Sequence, residues 1–324
     1  MERILIVFTG GTFSMKIDKK TGGAVPRYSG SELLEKIPEA EKLAKVDCCD
    51  FGKYPGPHMT PELMFSLSKK IRELIAKKKY AGVIVTHGTD TLEETAYLLD
   101  LTIKNEIPIV LIGSMKNSSE PDWDGPRNLI DAIHICLSEN CRNLGVLVCL
   151  NGEINAASEV TKTYTDEIDT FHSLDFGALG LVQNGRVIIN RLPRKLETIE
   201  TDKIISNIDM LTVYAGMKDK FFKFSADSKV DGIVVEALGV GNVPPPAFDG
   251  IKYAVGKGIP VILVSRCPAG ETEDIYSYPG AGKWLHKIGV IFAEYLNGQK
   301  ARIKLMLALG KTKDKAKLKK MFEG

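Results

Sequence analysis

The hydrophobic positions in the first half of the chain form short continuous runs, and segments with helical spacing separate them. The runs are apolar and rich in β-branched residues, as in strands buried on both faces. They lie at Met1–Phe8, Gly82–Thr86, Pro108–Gly113 and Gly145–Leu150. The helical segments lie at Glu62–Lys78, Leu92–Ile103 and Pro126–Leu137. Strands that alternate with helices in this way predict a doubly wound, mostly parallel sheet.

The pattern changes after Asn151. Short extended pieces and a hairpin are predicted as far as Ile189, and the charged stretch that follows has no firm period. Further apolar runs then repeat the strand–helix rhythm, at Met210–Tyr214, Gly232–Glu236, Pro260–Val264 and Val290–Phe292. We therefore predict an α/β protein with a larger N-terminal domain at 1–190, a linker at 191–209 and a smaller C-terminal α/β domain at 210–324.

Two of the predicted strands end in glycine-containing polar elbows. The first elbow is Thr9-Gly10-Gly11-Thr12, and the second is His87-Gly88-Thr89-Asp90-Thr91. Open α/β sheets bind ligands at the carboxyl ends of their strands. The second elbow also leads into a helix, where Thr91 and Glu94 predict a capping box. Free backbone N–H groups and a partial positive charge are expected there.

The first elbow leads into Phe13–Gly30, which is polar and has no apolar period. A stretch of this length without structure of its own is more often a lid than a connector, so we predict a mobile lid loop. A helix is predicted to follow at Ser31–Ile37, with Ser31 as its cap.

Composition and charge exclude several classes of protein. The 324 residues are 44% hydrophobic, and the formal net charge of +2 offers no broad field for nucleic acid. The basic stretch Lys311 to Lys320 predicts a solvated helix. No apolar run reaches the roughly 18 residues of a membrane span, and the run Ile4–Phe8 is too short for a signal peptide. We expect a cytoplasmic protein without nucleic-acid or membrane partners.

The six cysteines are too scattered for a disulfide framework, and with five histidines they form no zinc spacing. Cys136, Cys149 and Cys267 lie in or beside apolar runs, which predicts buried, reduced thiols. No metal site is expected.

The elbows could carry acyl transfer. A threonine hydroxyl such as that of Thr12 or Thr89 is a weak nucleophile and needs a base. Lys162 is a candidate, since partial burial favours a neutral amine. Asp90 could hold that lysine or a ligand's ammonium group, and the glycines leave backbone N–H groups open to an oxyanion. The simpler interpretations are a phosphate-binding or purely structural turn, a surface lysine at 162 and a structural histidine at 87.

Several segments together resemble the asparaginase/glutaminase family of amidohydrolases over nearly the whole chain. The first are the two elbows, TGGT (9–12) and HGTDT (87–91). Others in family order are IGSM (112–115), DGPRNL (124–129), EVTKT (159–163), DTFHS (169–173) and SRCPAG (265–270).

The resemblance implies a role for several residues. Thr12 matches the threonine that takes the acyl group from the amide. Thr89, Asp90 and Lys162 match a triad in which Asp90 also holds the substrate's α-ammonium group. Ser114 matches a residue whose backbone carbonyl faces the side-chain amide. The resemblance also implies a homodimer or homotetramer and neither a metal nor an organic cofactor.

The chemistry of asparagine agrees with these roles. A carboxylate suits its ammonium group, and backbone N–H groups at Gly11, Gly88 and Thr89 suit its carboxylate or a developing oxyanion.

Two departures from the family pattern concern the activation of the first threonine and the binding of the substrate's α-carboxylate. The family's lid carries a tyrosine, in some members just before an I/V-P pair, but Ala24 precedes Val25-Pro26 here; Tyr28 is the candidate replacement. The family often has a Ser-Gln pair that grips the α-carboxylate, and Gly56-Pro57 stands there, with His58 as a possible substitute.

The predicted function is hydrolysis of L-asparagine to L-aspartate and ammonia by an asparaginase. The alternatives are a family amidase with a different amide or a D-amino acid as substrate, and an amino-acid-binding protein without turnover. A tRNA amidotransferase subunit is less favoured, because such a subunit is expected to carry an extra N-terminal segment before strand one.

Overall fold

Two units, each built around its own β-sheet, make up the chain in the computed structural model, which describes residues 1–323. The first unit comprises Met1–Thr198, and the second begins at Ile199. Between Ile189 and Ile208 the described chain forms no helix or strand.

The first unit contains one large sheet and two small hairpins. Its strands are β1 (Arg3–Gly10), β2 (Met15–Ile17), β3 (Ala24–Pro26), β4 (Lys45–Tyr54), β5 (Gly82–Thr86), β6 (Ile109–Ile112), β7 (Val146–Leu150), β8 (Glu153–Ala156), β9 (Thr161–Lys162), β10 (Phe171–His172), β11 (Gly180–Gln183) and β12 (Arg186–Ile189). Its helices are α1 (Gly30–Leu34), α2 (Glu39–Leu43), α3 (Pro61–Lys77), α4 (Leu92–Thr102) and α5 (Gly125–Leu137).

The large sheet has the order β12-β11-β8-β7-β6-β5-β1-β4. Strands β4, β1, β5, β6 and β7 pair in parallel, and β8, β11 and β12 are antiparallel. The predicted doubly wound, mostly parallel sheet is therefore confirmed.

Both faces of this sheet are covered. On one face, alternate strand residues such as Ile6 and Ile84 pack with Leu129 and Ile133 of α5. The residues of opposite alternation, such as Val83, are also buried. Burial on both faces explains why the strands read as continuous apolar runs instead of alternating ones.

The direction of strand order reverses beside β1. The chain passes from β1 to β4 on one side and then returns through α3 to β5 on the other side. At such a reversal the loops leave neighbouring strands in opposite directions and open a crevice at the carboxyl ends. The two polar elbows follow β1 and β5, so both border this crevice.

The lid segment is more ordered than predicted. Residues 15–26 form the antiparallel hairpin β2–β3, with Met15 opposite Pro26. The hairpin is attached to the loop after β6, where the Ser118 hydroxyl donates to the Met15 carbonyl at 2.8 Å. The expectation of a loop without structure was therefore wrong.

Two predicted caps were also wrong. Helix α1 is capped by Ser29, which forms a capping box with Glu32, and not by Ser31. Thr91 is the N-cap of α4, but its side chain makes no cap hydrogen bond to the helix. Its hydroxyl donates instead to the Gly56 carbonyl at 2.8 Å.

The cysteines are free thiols, as expected. Cys136 and Cys149 are buried, and burial raises the pKa of both thiols. Cys267 is exposed, so its predicted burial was wrong, and Cys141 is the further buried thiol. Cys267 follows the strand Val261–Ser265, beyond the apolar run that suggested its burial.

The second unit has a four-stranded parallel sheet in the order β13-β14-β15-β16. Its strands are β13 (Ile208–Thr212), β14 (Gly232–Ala237), β15 (Val261–Ser265) and β16 (Ile291–Phe292), and its helices are α6 (Lys220–Asp227), α7 (Pro245–Gly256), α8 (Gly282–Lys287), α9 (Gly298–Lys311) and α10 (Lys315–Phe322). None of the helices in residues 1–323 has the length and hydropathy that crossing a membrane would require.

Candidate active site

Three glycines allow the loops after β1, β4 and β5 to meet. Gly11 has a φ of +74°, and a methyl group added to it would lie 2.5 Å from the Cα atom of Gly88. A methyl group added to Gly88 would lie 2.7 Å from the backbone nitrogen of Gly56. Both distances are too short for any side chain, so the backbones of these loops are in direct contact. The two threonine elbows are thereby brought together.

Lys162 is hydrogen bonded to the second elbow. Its Nζ atom lies 3.1 Å from Thr89 Oγ1 and 2.9 Å from Asp90 Oδ1. The lysine side chain is 15% exposed, whereas that of Asp90 is 59% exposed. The amine is therefore largely removed from water, and the carboxylate that it contacts remains open to a charged ligand.

Thr12 follows Gly11 directly and begins a short 3-10 turn that ends at Ser14. It is half-buried. Across the described part of the chain, no hydrogen bond joins its side chain to Thr89, Asp90 or Lys162. The structure thus assembles three of the four predicted catalytic residues by hydrogen bonds, and it brings Thr12 to the same crevice through the contact of Gly11 with Gly88.

Ser114 belongs to the loop after β6, beside the second elbow. A methyl group added to the preceding Gly113 would lie 2.8 Å from Thr89 Cγ2. Ser114 is fully buried, and its hydroxyl lies 2.6 Å from Asp124 Oδ1 and within hydrogen-bond distance of the Lys116 carbonyl, to either of which it can donate. Its hydroxyl is therefore bound within its own loop.

Asp124 organises this loop and was not singled out in the sequence. Its carboxylate also accepts hydrogen bonds from the backbone N–H groups of Met115 and Lys116 and from the Asn128 amide. Its position just before α5 suggests a helix cap, but its side chain makes no cap hydrogen bond. Only the folded structure shows that the carboxylate faces the loop.

His58 is exposed and ends a 3-10 turn that begins at Gly56. The turn lies beside the second elbow, because a methyl group at Gly56 would be 3.3 Å from Asp90 Cβ. The bond from Thr91 to the Gly56 carbonyl holds it there. His58 is thus near the crevice, with its side chain in contact with solvent.

Tyr28 lies at the base of the lid hairpin. Its backbone N–H donates to the Ser14 carbonyl at 3.2 Å, and the Lys36 ammonium lies 4.7 Å from the centre of its ring. Burial alone would raise the pKa of the Tyr28 phenol, but the Ser118 hydroxyl and the Lys36 charge outweigh it and lower that pKa. A phenol of lowered pKa gives up its proton more readily.

His87 is buried and hydrogen bonded within the protein, as expected of a structural histidine. It is 1% exposed, and its ring nitrogens lie 2.8 Å from the Gly88 carbonyl and 2.8 Å from Thr95 Oγ1. Burial lowers its pKa from 6.5 to about 4. A neutral ring satisfies both contacts, with Nδ1 donating to Gly88 and Nε2 accepting from Thr95.

This burial predicts a pH-dependent stability. The unfolded chain binds a proton at His87 near pH 6.5, and the folded chain does so only near pH 4. The free energy of unfolding should therefore fall as the pH is lowered from 6.5 to 4, by up to about 3 kcal/mol from this residue. Urea unfolding of the parent and of His87→Gln across this range measures it. The stability difference between the two proteins should shrink at low pH; a constant difference would contradict the assignment.

One group outside the crevice resembles a metal site in composition. Glu153, Asp169 and His172 each offer a ligand atom, and these atoms lie within 4.8 Å of one another. However, His172 Nδ1 faces Glu153 at 3.6 Å and Nε2 faces Asp169 at 3.8 Å. The two ring nitrogens face different carboxylates, whereas a histidine that shares one ion with both carboxylates presents a single nitrogen to that ion.

The site combines a nucleophilic residue type, an amine, a carboxylate and close-packed glycine backbones at the ends of parallel strands. These are the parts of an enzyme that transfers an acyl group.

Comparison with known proteins identifies the family to which the chain belongs. Residues 3–195 match the model "Asparaginase, N-terminal", and residues 207–322 match the "Glutaminase/Asparaginase C-terminal domain". The chain belongs to the asparaginase family, and the resemblance seen in its sequence is confirmed.

Individual relatives cover the chain throughout. It is 34% identical over 331 residues to the probable periplasmic L-asparaginase of Haemophilus influenzae, covering 100% of this chain and 93% of the relative. It is 34% identical to L-asparaginase 2 of Escherichia coli, covering 99% and 93%. A solved structure of a probable cytoplasmic L-asparaginase from Campylobacter jejuni matches with a TM-score of 0.90 at 34% identity, covering 100% of this chain and 99% of that one.

Proposed function

We propose that the protein hydrolyses L-asparagine to L-aspartate and ammonia through an acyl-enzyme on Thr12. The observation that carries the proposal is the pair of hydrogen bonds from Lys162 to Thr89 and Asp90. A protein that only binds an amino acid needs a carboxylate for the ammonium group, but it does not need an amine held against a threonine hydroxyl. The names of the relatives support the same substrate.

The crevice suits the three polar groups of asparagine. Asp90 receives the α-ammonium group, since one of its oxygens is bound to Lys162 and the side chain is largely exposed. Backbone N–H groups at Gly11, Gly88 and Thr89 serve the α-carboxylate or the oxyanion that develops on the amide carbonyl. His58, on the turn beside Asp90, is the second candidate for the carboxylate.

The reaction proceeds in two steps. In the first, Thr12 Oγ1 attacks the side-chain carbonyl carbon and gives up its hydroxyl proton, the C–N bond breaks, and that proton is passed to the departing nitrogen, which leaves as ammonia. The Ser114 carbonyl orients the amide nitrogen. In the second, water attacks the aspartyl ester, which releases aspartate and restores the threonine hydroxyl.

Thr89 and Lys162 move the protons in this scheme. The substrate's ammonium group competes with the Lys162 ammonium for the Asp90 carboxylate, and like charges at that distance repel. The bound substrate can therefore take the place of Lys162 at Asp90, and the lysine remains beside the Thr89 hydroxyl, through which a proton can pass. The chemistry starts only when the substrate is in place.

Ammonia release from L-asparagine, D-asparagine, L-glutamine and short aliphatic amides tests the proposal. We expect rapid release from L-asparagine. Release only from another amide would be consistent with the acyl-transfer mechanism but would contradict L-asparagine as the substrate. A folded protein that binds aspartate and releases no ammonia from any amide would be the binding protein considered above.

Tyr28→Phe tests the lid. If the phenol assists Thr12, its removal should lower kcat by about a hundredfold, the usual contribution of a proton-transfer group, and leave KM within a few-fold. Steady-state kinetics on L-asparagine measure both constants. Kinetics equal to those of the parent would show that Tyr28 does not replace the family's lid tyrosine.

We also propose a homodimer or homotetramer located in the cytoplasm, with domains at 1–190 and 210–324 joined by a linker at 191–209. The family resemblance supports the assembly. The name of the Campylobacter jejuni relative supports the location, although the Haemophilus influenzae relative is named periplasmic. Light scattering during size-exclusion chromatography measures the assembly, and cell fractionation measures the location.

A further inference from the structure

Lys162 belongs to a strand that contacts both the second elbow and the first turn of α4. Strand β9 has two residues, and successive side chains of a strand point to opposite sides. Lys162 contacts Thr89 and Asp90, whereas the Thr161 hydroxyl lies 3.1 Å from Glu93 Oε1. Glu93 is in the first turn of α4, immediately after the elbow. The same two chain segments are thus joined by two side-chain contacts.

The Thr161–Glu93 contact is largely shielded from solvent. Glu93 is 6% exposed, and Thr161 is half-buried. A carboxylate in the first turn of a helix is favoured by the partial positive charge there, and hydrogen bonds reduce the cost of burying it. A hydrogen bond to a buried charged group is among the stronger ones in a protein. The contact can therefore hold β9 at a fixed distance from the first turn of α4.

The ribbon that contains β9 is short, even with the hydrogen bonds that extend it to Thr170. The partner of β9 is β10, with Lys162 opposite Phe171 and Thr161 opposite His172. A two-stranded ribbon of this size is marginally stable by itself. A displacement of about 1 Å would carry Lys162 Nζ from 3.1 Å to beyond hydrogen-bond range of Thr89. Contacts outside the ribbon therefore help to hold the amine in register.

We infer that Thr161 and Glu93 form a positioning pair for Lys162. The inference rests on the proposed function, in which Lys162 and Thr89 move protons. Neither member of the pair touches the substrate. The pair sets where the Lys162 amine stands and so controls the rate of proton transfer, while the binding groups at Asp90 and the glycines stay in place.

Thr161→Val and Thr161→Ser are matched variants, since valine keeps the shape without the hydroxyl and serine keeps the hydroxyl. We expect valine to lower kcat on L-asparagine about tenfold, to leave KM within twofold and to shift the pH profile of kcat. Serine should restore most of the rate and the parent profile. Thr161→Ala replaces valine if the valine variant does not fold.

Glu93 provides the second arm. Glu93→Gln retains an acceptor oxygen and should stay within a few-fold of the parent, whereas Glu93→Leu should match Thr161→Val. The double variant Thr161→Val/Glu93→Leu should be no slower than either single variant, because both remove the same contact. Fully multiplied losses, equal losses from valine and serine, or a valine variant with the parent's kcat and pH profile would overturn the inference.

A readout without turnover separates the inference from the proposed function. NMR titration of proteins with 13C-labelled lysine follows the Cε signal of Lys162, assigned by its loss in Lys162→Met. Thr161→Val should change its titration, and Thr161→Ser should not. If the parent releases no ammonia, the proposed function fails, and this titration still decides whether the pair positions the amine; an unchanged signal in the valine variant would overturn it.

Discussion

Replacing Thr89 by valine is expected to lower kcat for L-asparagine by at least about a thousandfold, the scale of loss for a group of a catalytic unit. Valine has the shape of threonine, so the contact of Cγ2 with the Gly113 loop is retained. The hydroxyl bound to Lys162 Nζ is lost, and with it the route for the proton. Steady-state ammonia release measures the rate, and thermal unfolding should show a Tm close to that of the parent.

Thr89→Ser is the matched control, because it keeps the hydroxyl and removes only the methyl group. It should retain a readily measured part of the parent activity. Activity of the valine variant above about a tenth of the parent's would exclude Thr89 from proton transfer, since the loss of a catalytic group costs far more.

Replacing Thr12 by alanine is expected to abolish turnover to the same extent, for a different reason. The proposed ester forms on its hydroxyl, so the variant has no atom to accept the acyl group. Thr12 is half-buried at the start of a 3-10 turn and lacks a side-chain bond to the triad. Its removal should therefore change the fold little and leave binding of aspartate intact, which calorimetry can measure.

Trapping distinguishes the two threonines. Acid quenching of the parent with L-asparagine, followed by peptide mass spectrometry, should locate an aspartyl group on the peptide that contains residue 12. Thr12→Ser should carry the group at the same position. An adduct on Thr89, or substantial turnover by Thr12→Ala, would reverse the proposed roles of the two elbows.

Much of the fold and the outline of the site were predictable from the sequence. Continuous apolar runs such as that of β5 are long enough for a strand and too short for a helix, so the parallel sheet followed from them. The positions of Thr89 and Asp90 just after that run predicted a strand end. Lys162 was a candidate base from the sequence, but its place in a triad with Thr89 came from the family resemblance, because no local pattern connects residues more than seventy positions apart.

The failures have a common physical origin in contacts between distant segments. The hairpin β2–β3 has no apolar alternation of its own, and Ser118 and Ser119 of another loop bind it. The sequence around Thr91 has the form of a capping box, but the carbonyl of Gly56, 35 positions earlier, takes the hydroxyl. The capping box at Ser29 and Glu32 was visible in the sequence, yet Ser31 stands closer to the apolar positions of the helix.

The meeting point of Gly11, Gly56 and Gly88 has a consequence for engineering the enzyme. Almost all variants at positions 11 or 88 should be inactive, since each added methyl group would overlap backbone atoms. Position 56 is different, because a methyl group there would lie 3.3 Å from Asp90 Cβ and needs a shift of only a few tenths of an ångström. The nearest atom belongs to Asp90, whose carboxylate is proposed to bind the substrate's ammonium group. Alanine or serine at position 56 is therefore expected to be tolerated and to change the substrate preference. The same substitutions at positions 11 and 88 are excluded by the backbone contacts.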